Sequence, residues 1–65
     1  MRILIRQANT NFYMNSGDWI EDTNQAHEFK AENDAIAFVA HNRLKNVEIV
    51  YSFSDPKFDV LIAKF

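Results

Sequence analysis

The stretch 32-ENDAIAFVAHNRL-44 has the apolar spacing of a helix. Ile36, Val39, Ala40 and Leu44 stand at i, i+3, i+4 and i+8, on one side of a 3.6-residue period. Ala35, Ala37 and Ala40 add strong helix formers. Glu32 and Asp34 suit the positive N-terminal end of the macrodipole, and Arg43 and Lys45 suit the other. Ala31 falls at the N-cap, where it offers no side-chain acceptor to the free backbone N–H groups. Asn46 is expected at the C-terminal end, in the left-handed conformation that Asn tolerates. Phe38 breaks the pattern, since it projects about 160° away from Ile36. It either reaches round to the sheet edge as a core aromatic or faces solvent as a contact for a partner. Large aromatics are mostly buried, which favours the first.

On either side of this segment the chain reads as short strands and turns. Residues 2–7, RILIRQ, alternate, with Ile3 and Ile5 facing the core and Arg2, Leu4 and Arg6 facing away. Asn9-Thr10-Asn11 is a connector in which an Asn suits a positive-φ position. Phe12–Met14 is a second short strand. Asn15-Ser16-Gly17-Asp18 holds the one glycine of the chain and predicts a hairpin with Gly17 in the left-handed region. Trp19–Glu21 is the third strand. Asp22 caps a single helical turn, and His27–Phe29 then runs extended. Trp19, Ala26 and Phe29 are expected to cluster under Ile36 and Val39.

Beyond the helix, Val47, Ile49, Tyr51 and Phe53 share one face, and Glu48, Val50 and Ser52 share the other. Ser54–Lys57 is a turn with Pro56 at its corner. Residues 58–65 return as the last strand, with Phe58, Val60, Ile62 and Lys64 on one face and Asp59, Leu61, Ala63 and Phe65 on the other. The expected fold is α+β: one domain, 1–65, with an antiparallel sheet of four to five strands and one helix packed on a face. The strands lie near 2–7, 11–14, 18–21, 47–53 and 58–64.

The last strand is apolar on both faces, whereas an antiparallel sheet covered by one helix should leave one face polar. The strand is therefore either central or part of an interface. Leu4, Val50, Leu61, Ala63 and Phe65 would form one apolar patch on the face away from the helix, and contiguous patches mark association sites. These five are the candidate interaction surface.

A chain of 65 residues buries only about 60% of its unfolded surface, so its stability is modest unless association adds to it. Hydrophobic residues make up 48%, six of them Phe, which argues for a real core. The absence of cysteine excludes a disulfide framework and a thiolate zinc site. The only apolar run near the start is Ile3-Leu4-Ile5, too short for a signal-peptide core, and no segment approaches a membrane span. The expectation is a soluble cytoplasmic protein.

Net charge is −2 and uneven: residues 21–34 carry five carboxylates against Lys30, a net −4, and each flank is +1. No basic stripe emerges, which argues against phosphate-dominated nucleic-acid binding. The acidic middle is a solvated face or a docking surface for a basic partner.

Chemistry-bearing residues are sparse. His27 and His41 share no metal spacing, and no cofactor or metal is expected. Ser16, Ser52, Ser54, Thr10 and Thr23 fall on turns or strand surfaces without a base and an orienting acid. The neighbours Glu21/Asp22 and Glu32/Asp34 are no catalytic pair without a cleft that raises one pKa. No enzyme is expected. Phe12, Tyr13, Trp19, Tyr51 and Phe53 are the residues for a base-stacking platform, but only Arg2 and Arg6 would flank it.

The pattern Trp19…Asp22…Ala26-x-x-Phe29…Ala35, followed by a helix and the strand 46-NVEIV-50, resembles short uncharacterised bacterial and phage proteins. In these a Trp-bearing hairpin leads through an A-x-x-F step into one helix and a further strand. The resemblance covers residues 12–50 and departs at Ala31, where a Ser or Thr would be expected. It implies a small soluble domain and carries no catalytic residue. Two functions are left: a protein-interaction module, self-associating through its C-terminal strand or sheet face, and a nucleic-acid-binding regulator using strand aromatics.

Overall fold

A computed structural model describes residues 1–65, with the side chain of Pro56 outside the described set. The turn expected at residues 54–57 runs on as a 3₁₀ turn, Pro56–Phe58, in which Phe58 N–H bonds the Asp55 carbonyl at 3.0 Å, so Phe58, expected to open the last strand, belongs to the turn instead. Strands β1 (Arg2–Gln7), β2 (Tyr13–Asn15), β3 (Asp18–Ile20), β4 (Val47–Ser52) and β5 (Val60–Lys64) form one antiparallel sheet. Their order is β3-β2-β1-β4-β5: an N-terminal meander with the C-terminal hairpin added beside β1. The helix α1 (Glu32–His41) lies over β1 and β4, so the fold is α+β as the patterns predict.

Local chemistry accounts for the turns. Ser16 (φ 49°) and Gly17 (φ 93°) join β2 to β3, closed by the pair Asn15 and Asp18. Two positive φ values in a two-residue loop match the right-handed twist of the flanking strands. Asn9 takes φ 60° after β1. Asp22 caps the 3₁₀ turn Thr23–Gln25 by accepting the Asn24 N–H at 2.9 Å.

One core lies between sheet and helix: Ile3, Ile5, Met14, Phe29, Ala35, Val39, Val47 and Ile49, with Trp19, Phe38, Leu44, Tyr51 and Ile62 packed against it. The helix is rotated from the expected face. Ala35 and Val39 are buried, whereas Ile36 and Ala40 are exposed. Phe38 accounts for the rotation. Its ring meets Phe29 edge-on, centroids 5.5 Å apart, and docking this largest helix side chain turns Ile36 outward.

The opposite face of the sheet is covered too, by the chain's own connection. His27 N–H bonds the Met14 carbonyl and Phe29 N–H bonds the Ile3 carbonyl, each at 2.9 Å. The segment thus fills the fork where β1 and β2 diverge. Before the fork, Ala26 packs with Leu4, Tyr13 and Val50 in a second buried cluster. Beyond it, Phe29 joins the helix-side core. Arg2 ties the 3₁₀ turn down by donating to the Thr23 and Ala26 carbonyls. Ala26 therefore does not join Trp19 and Phe29 beneath the helix, where the three were expected to cluster.

The helix also ends earlier than expected. Asn42 caps it, Arg43 takes φ 54°, and Leu44 N–H returns to the Val39 carbonyl at 3.0 Å while Arg43 N–H reaches Ala40 at 3.2 Å. This pair of bonds closes the helix with an arginine at the left-handed site usually held by glycine. Asn46 is left-handed as well (φ 59°), but in the turn into β4.

Candidate interaction surface

Arg6 lies directly opposite Glu48, across the β1–β4 pair, on the face away from the helix. Its Nε and Nη2 both donate to Glu48 Oε1, at 3.1 and 2.9 Å. Its Nη1 donates to Asp59 Oδ2 at 3.3 Å, and the Tyr13 hydroxyl donates to the same oxygen at 2.5 Å. The Asp59 side chain is 2% exposed, and its other oxygen, Oδ1, is buried without a donor among the described residues. Burial works to lower the Arg6 pKa, but the Glu48 hydrogen bond and charge, with Tyr13, outweigh it and the net direction is up. The Tyr13 phenol is pushed up by burial first and by the Asp59 hydrogen bond and charge second. This network ties the residue preceding β5 to β1 and β2.

β5 is an edge strand, paired only with β4. Val60 stands opposite Tyr51, Leu61 opposite Val50, Ala63 opposite Ile49 and Lys64 opposite Glu48, with a bulge between. The extra residue breaks the strict alternation read from the sequence. Val60, Ile62 and Ala63 lie on the helix side, and Leu61 and Lys64 on the far side. Phe65, whose N–H bonds the Val47 carbonyl, follows on the helix side.

The expected patch therefore divides. Leu4 and Val50 are fully buried under Tyr13 and Ala26, and Ala63 is half-buried on the helix side. None of these three is surface on the far face. Leu61 and Phe65 are exposed, but on opposite faces of β5. What is exposed is the strand and its two flanks: Val60 and Leu61 in β5 retain 49 and 47% of their area, Phe58 in the preceding turn 60%, and Phe65 just after the strand 44%. With Phe53 they make five of the eight exposed large apolar residues among the described ones, all within residues 53–65.

Elsewhere the surface offers less. A cleft of about 140 Å³ between the β2–β3 hairpin and α1 is lined by Met14, Gly17, Trp19, Phe38, Asn42 and Leu44. His27 and His41 are both exposed, and no three His, Asp or Glu side chains converge among the described residues. Of the strand aromatics, Phe12 and Phe53 are exposed. Tyr13 is buried, Trp19 and Tyr51 pack on the core, and Arg2 and Arg6 are held in ion pairs. Among the described residues, no helix is long and apolar enough to cross a membrane.

Sequence reasoning missed Tyr13 and Asp59 as partners. The available signal was the two-sided apolarity of β5, which leaves its placement to be fixed by something other than alternation. Comparison with known protein families, curated proteins and solved structures finds no significant match to this chain.

Proposed function

We propose that the chain is a small, non-catalytic protein-interaction module of the cytoplasm that binds through the open edge of β5. The observation that carries this reading is the concentration of exposed apolar side chains in and beside an edge strand that is paired on one side only: Val60 and Leu61 in β5, Phe58 before it and Phe65 after it. Natural sheets blunt such edges with proline, charge or a covering loop, and an uncovered apolar edge is a template for strand addition. β5 has one charged residue, Lys64, and one bulge. The other edge, β3, is only three residues long and begins with the charged Asp18.

Leu61→Lys and Phe65→Lys test this reading, since each places a charge on one exposed face of the edge. The variants should keep the circular dichroism of the wild type and lose its association, either with itself in light scattering or with a protein captured from the source lysate. A wild type that stays monomeric and captures the same proteins as Leu61→Lys would reject the reading.

A further inference from the structure

We propose that the occupant of the β5 edge is a second copy of this chain, paired antiparallel about a two-fold axis between Ile62 and Ala63; this rests on the interaction reading above. The argument starts from the bulge. From Val60 to Phe65 the side chains fall on the helix side, far side, helix side, helix side, far side and helix side. That order reads the same in both directions. In an antiparallel pair, residues directly opposite share a face, and a two-fold interface must match the strand to itself. A strictly alternating strand satisfies this in many registers. The bulged strand satisfies it over its full length, at all six positions, where a strictly alternating run of six would match at none: Val60 opposite Phe65 of the second copy, Leu61 opposite Lys64, and Ile62 opposite Ala63.

The chemistry of that register fits. Val60 and Phe65, both half-exposed on the helix side, would cover one another at each end of the pair. A β-branched residue facing an aromatic is a favourable cross-strand combination. On the far side, Leu61 meets the aliphatic stem of Lys64, whose ammonium stays in water. Lys64 has no ion-pair partner among the described residues, and the two-fold keeps the two Lys64 side chains three positions apart along the strands. Val60, Leu61 and Phe65 together offer roughly 300 Å² per copy, about 600 Å² over both, so the interface falls below the ~1,200 Å² total of standard stable complexes. The dimer is therefore transient and concentration-dependent.

The chain has no cysteine, so introduced thiols report the register without interference. Leu61→Cys mixed with Lys64→Cys, under mild oxidation at high concentration, should yield a disulfide-linked pair of twice the chain mass. Leu61→Cys mixed with Phe65→Cys, on opposite faces, should link far less, as should each variant alone. Light scattering of the wild type should show a rise from one chain mass towards two with concentration. A dimer linked in a different pattern would overturn this register and leave the interaction reading standing. A chain that stays monomeric at every concentration would overturn the second copy as occupant, and capture of another protein dependent on Leu61 and Phe65 would then separate that failure from failure of the interaction reading.

Discussion

The Tyr13 hydroxyl donates to Asp59 Oδ2 at 2.5 Å, across 46 residues of chain. Tyr13 belongs to β2 and Asp59 immediately precedes β5, two strands further along the sheet from β1. The bond, with Arg6, holds the start of β5 over the buried face formed by Leu4 and Val50. An alternating strand with one polar face is placed by that pattern; β5 has apolar residues on both faces, and a one-residue slip would cost it little burial. A buried polar contact with only one satisfactory register supplies what the pattern leaves open.

Tyr13→Phe removes the hydroxyl and little else. At neutral pH the variant should be less stable by about 1–3 kcal/mol, because buried Asp59 loses a donor and retains only Arg6. The pH dependence separates this bond from simple packing. Burial and the Asp59 carboxylate raise the Tyr13 phenol above its ordinary 10.0, so the folded chain keeps a proton that the unfolded chain has begun to release. Stability is insensitive to this group below the unfolded value and falls as pH climbs through it towards the raised folded one. Urea melts from neutrality to above pH 10 should show a decline in the wild type with a component absent from Tyr13→Phe. Parallel declines would mean that the phenol is not the titrating group.

Arg43 sits at φ 54° because Leu44 N–H must return to the Val39 carbonyl to close the helix. Leu44 also packs against the core that contains Val39, so the chain gains burial by accepting the strained residue. A side chain in the left-handed region costs about 1 kcal/mol that glycine avoids. Arg43 is exposed and has no ion-pair partner among the described residues. Arg43→Gly should therefore raise stability by about 0.5–1 kcal/mol, a rise of roughly 3–6 °C in Tm for a chain of this size. An unchanged or lower Tm would place the helix end elsewhere.

The other end of α1 is open to improvement for a different reason. Ala31 has the extended backbone of an N-cap (φ −144°, ψ 158°) and makes no side-chain bond to the first turn. Ala31→Ser puts a hydroxyl within reach of those N–H groups and should add about 0.5–1 kcal/mol. The gain should be independent of that from Arg43→Gly, because the two positions share no partner and lie a helix length apart. A double variant whose Tm rise falls well short of the sum would show that the helix ends are coupled.

Elements governed by nearest neighbours were legible before the structure. Alternation over residues 2–7 and 47–52, Gly17 in its hairpin and Asp22 at its cap each depend on residues within a few positions. Features set by pairing at a distance were not. Asp55 and Asp59 look alike in sequence, two acids flanking the same turn. Yet the Asp55 side chain is 47% exposed beside Lys57, while Asp59 is buried against Arg6 and Tyr13. The difference arises from the β1–β4 register, which brings Arg6 opposite Glu48. The β5 bulge likewise exists only in the pairing of β5 with β4, and it moved Ala63 and Phe65 to the helix side.

The rotation of α1 gives the sharpest test of that distinction. The apolar spacing puts Ile36 and Val39 on one face, but the docking of Phe38 against Phe29 leaves Val39 at 2% exposure and Ile36 at 37%. The two residues should therefore respond very differently to substitution. Val39→Ala removes two buried methyl groups from among Ile3, Ile5 and Ile49 and should cost about 2 kcal/mol, part transfer and part cavity. Ile36→Lys puts a long, helix-compatible side chain where solvent already reaches, and should change stability by no more than about 0.5 kcal/mol. Phe38→Ala completes the series. Without the ring that turns the helix, Ile36 becomes free to roll inward, and Ile36→Lys should then be costlier in the Phe38→Ala background than in the wild type. Chemical denaturation of the two single variants and the double variant measures this coupling. Strict additivity would mean that Phe38 only rests on Phe29 and that the helix is oriented by Ala35 and Val39 alone.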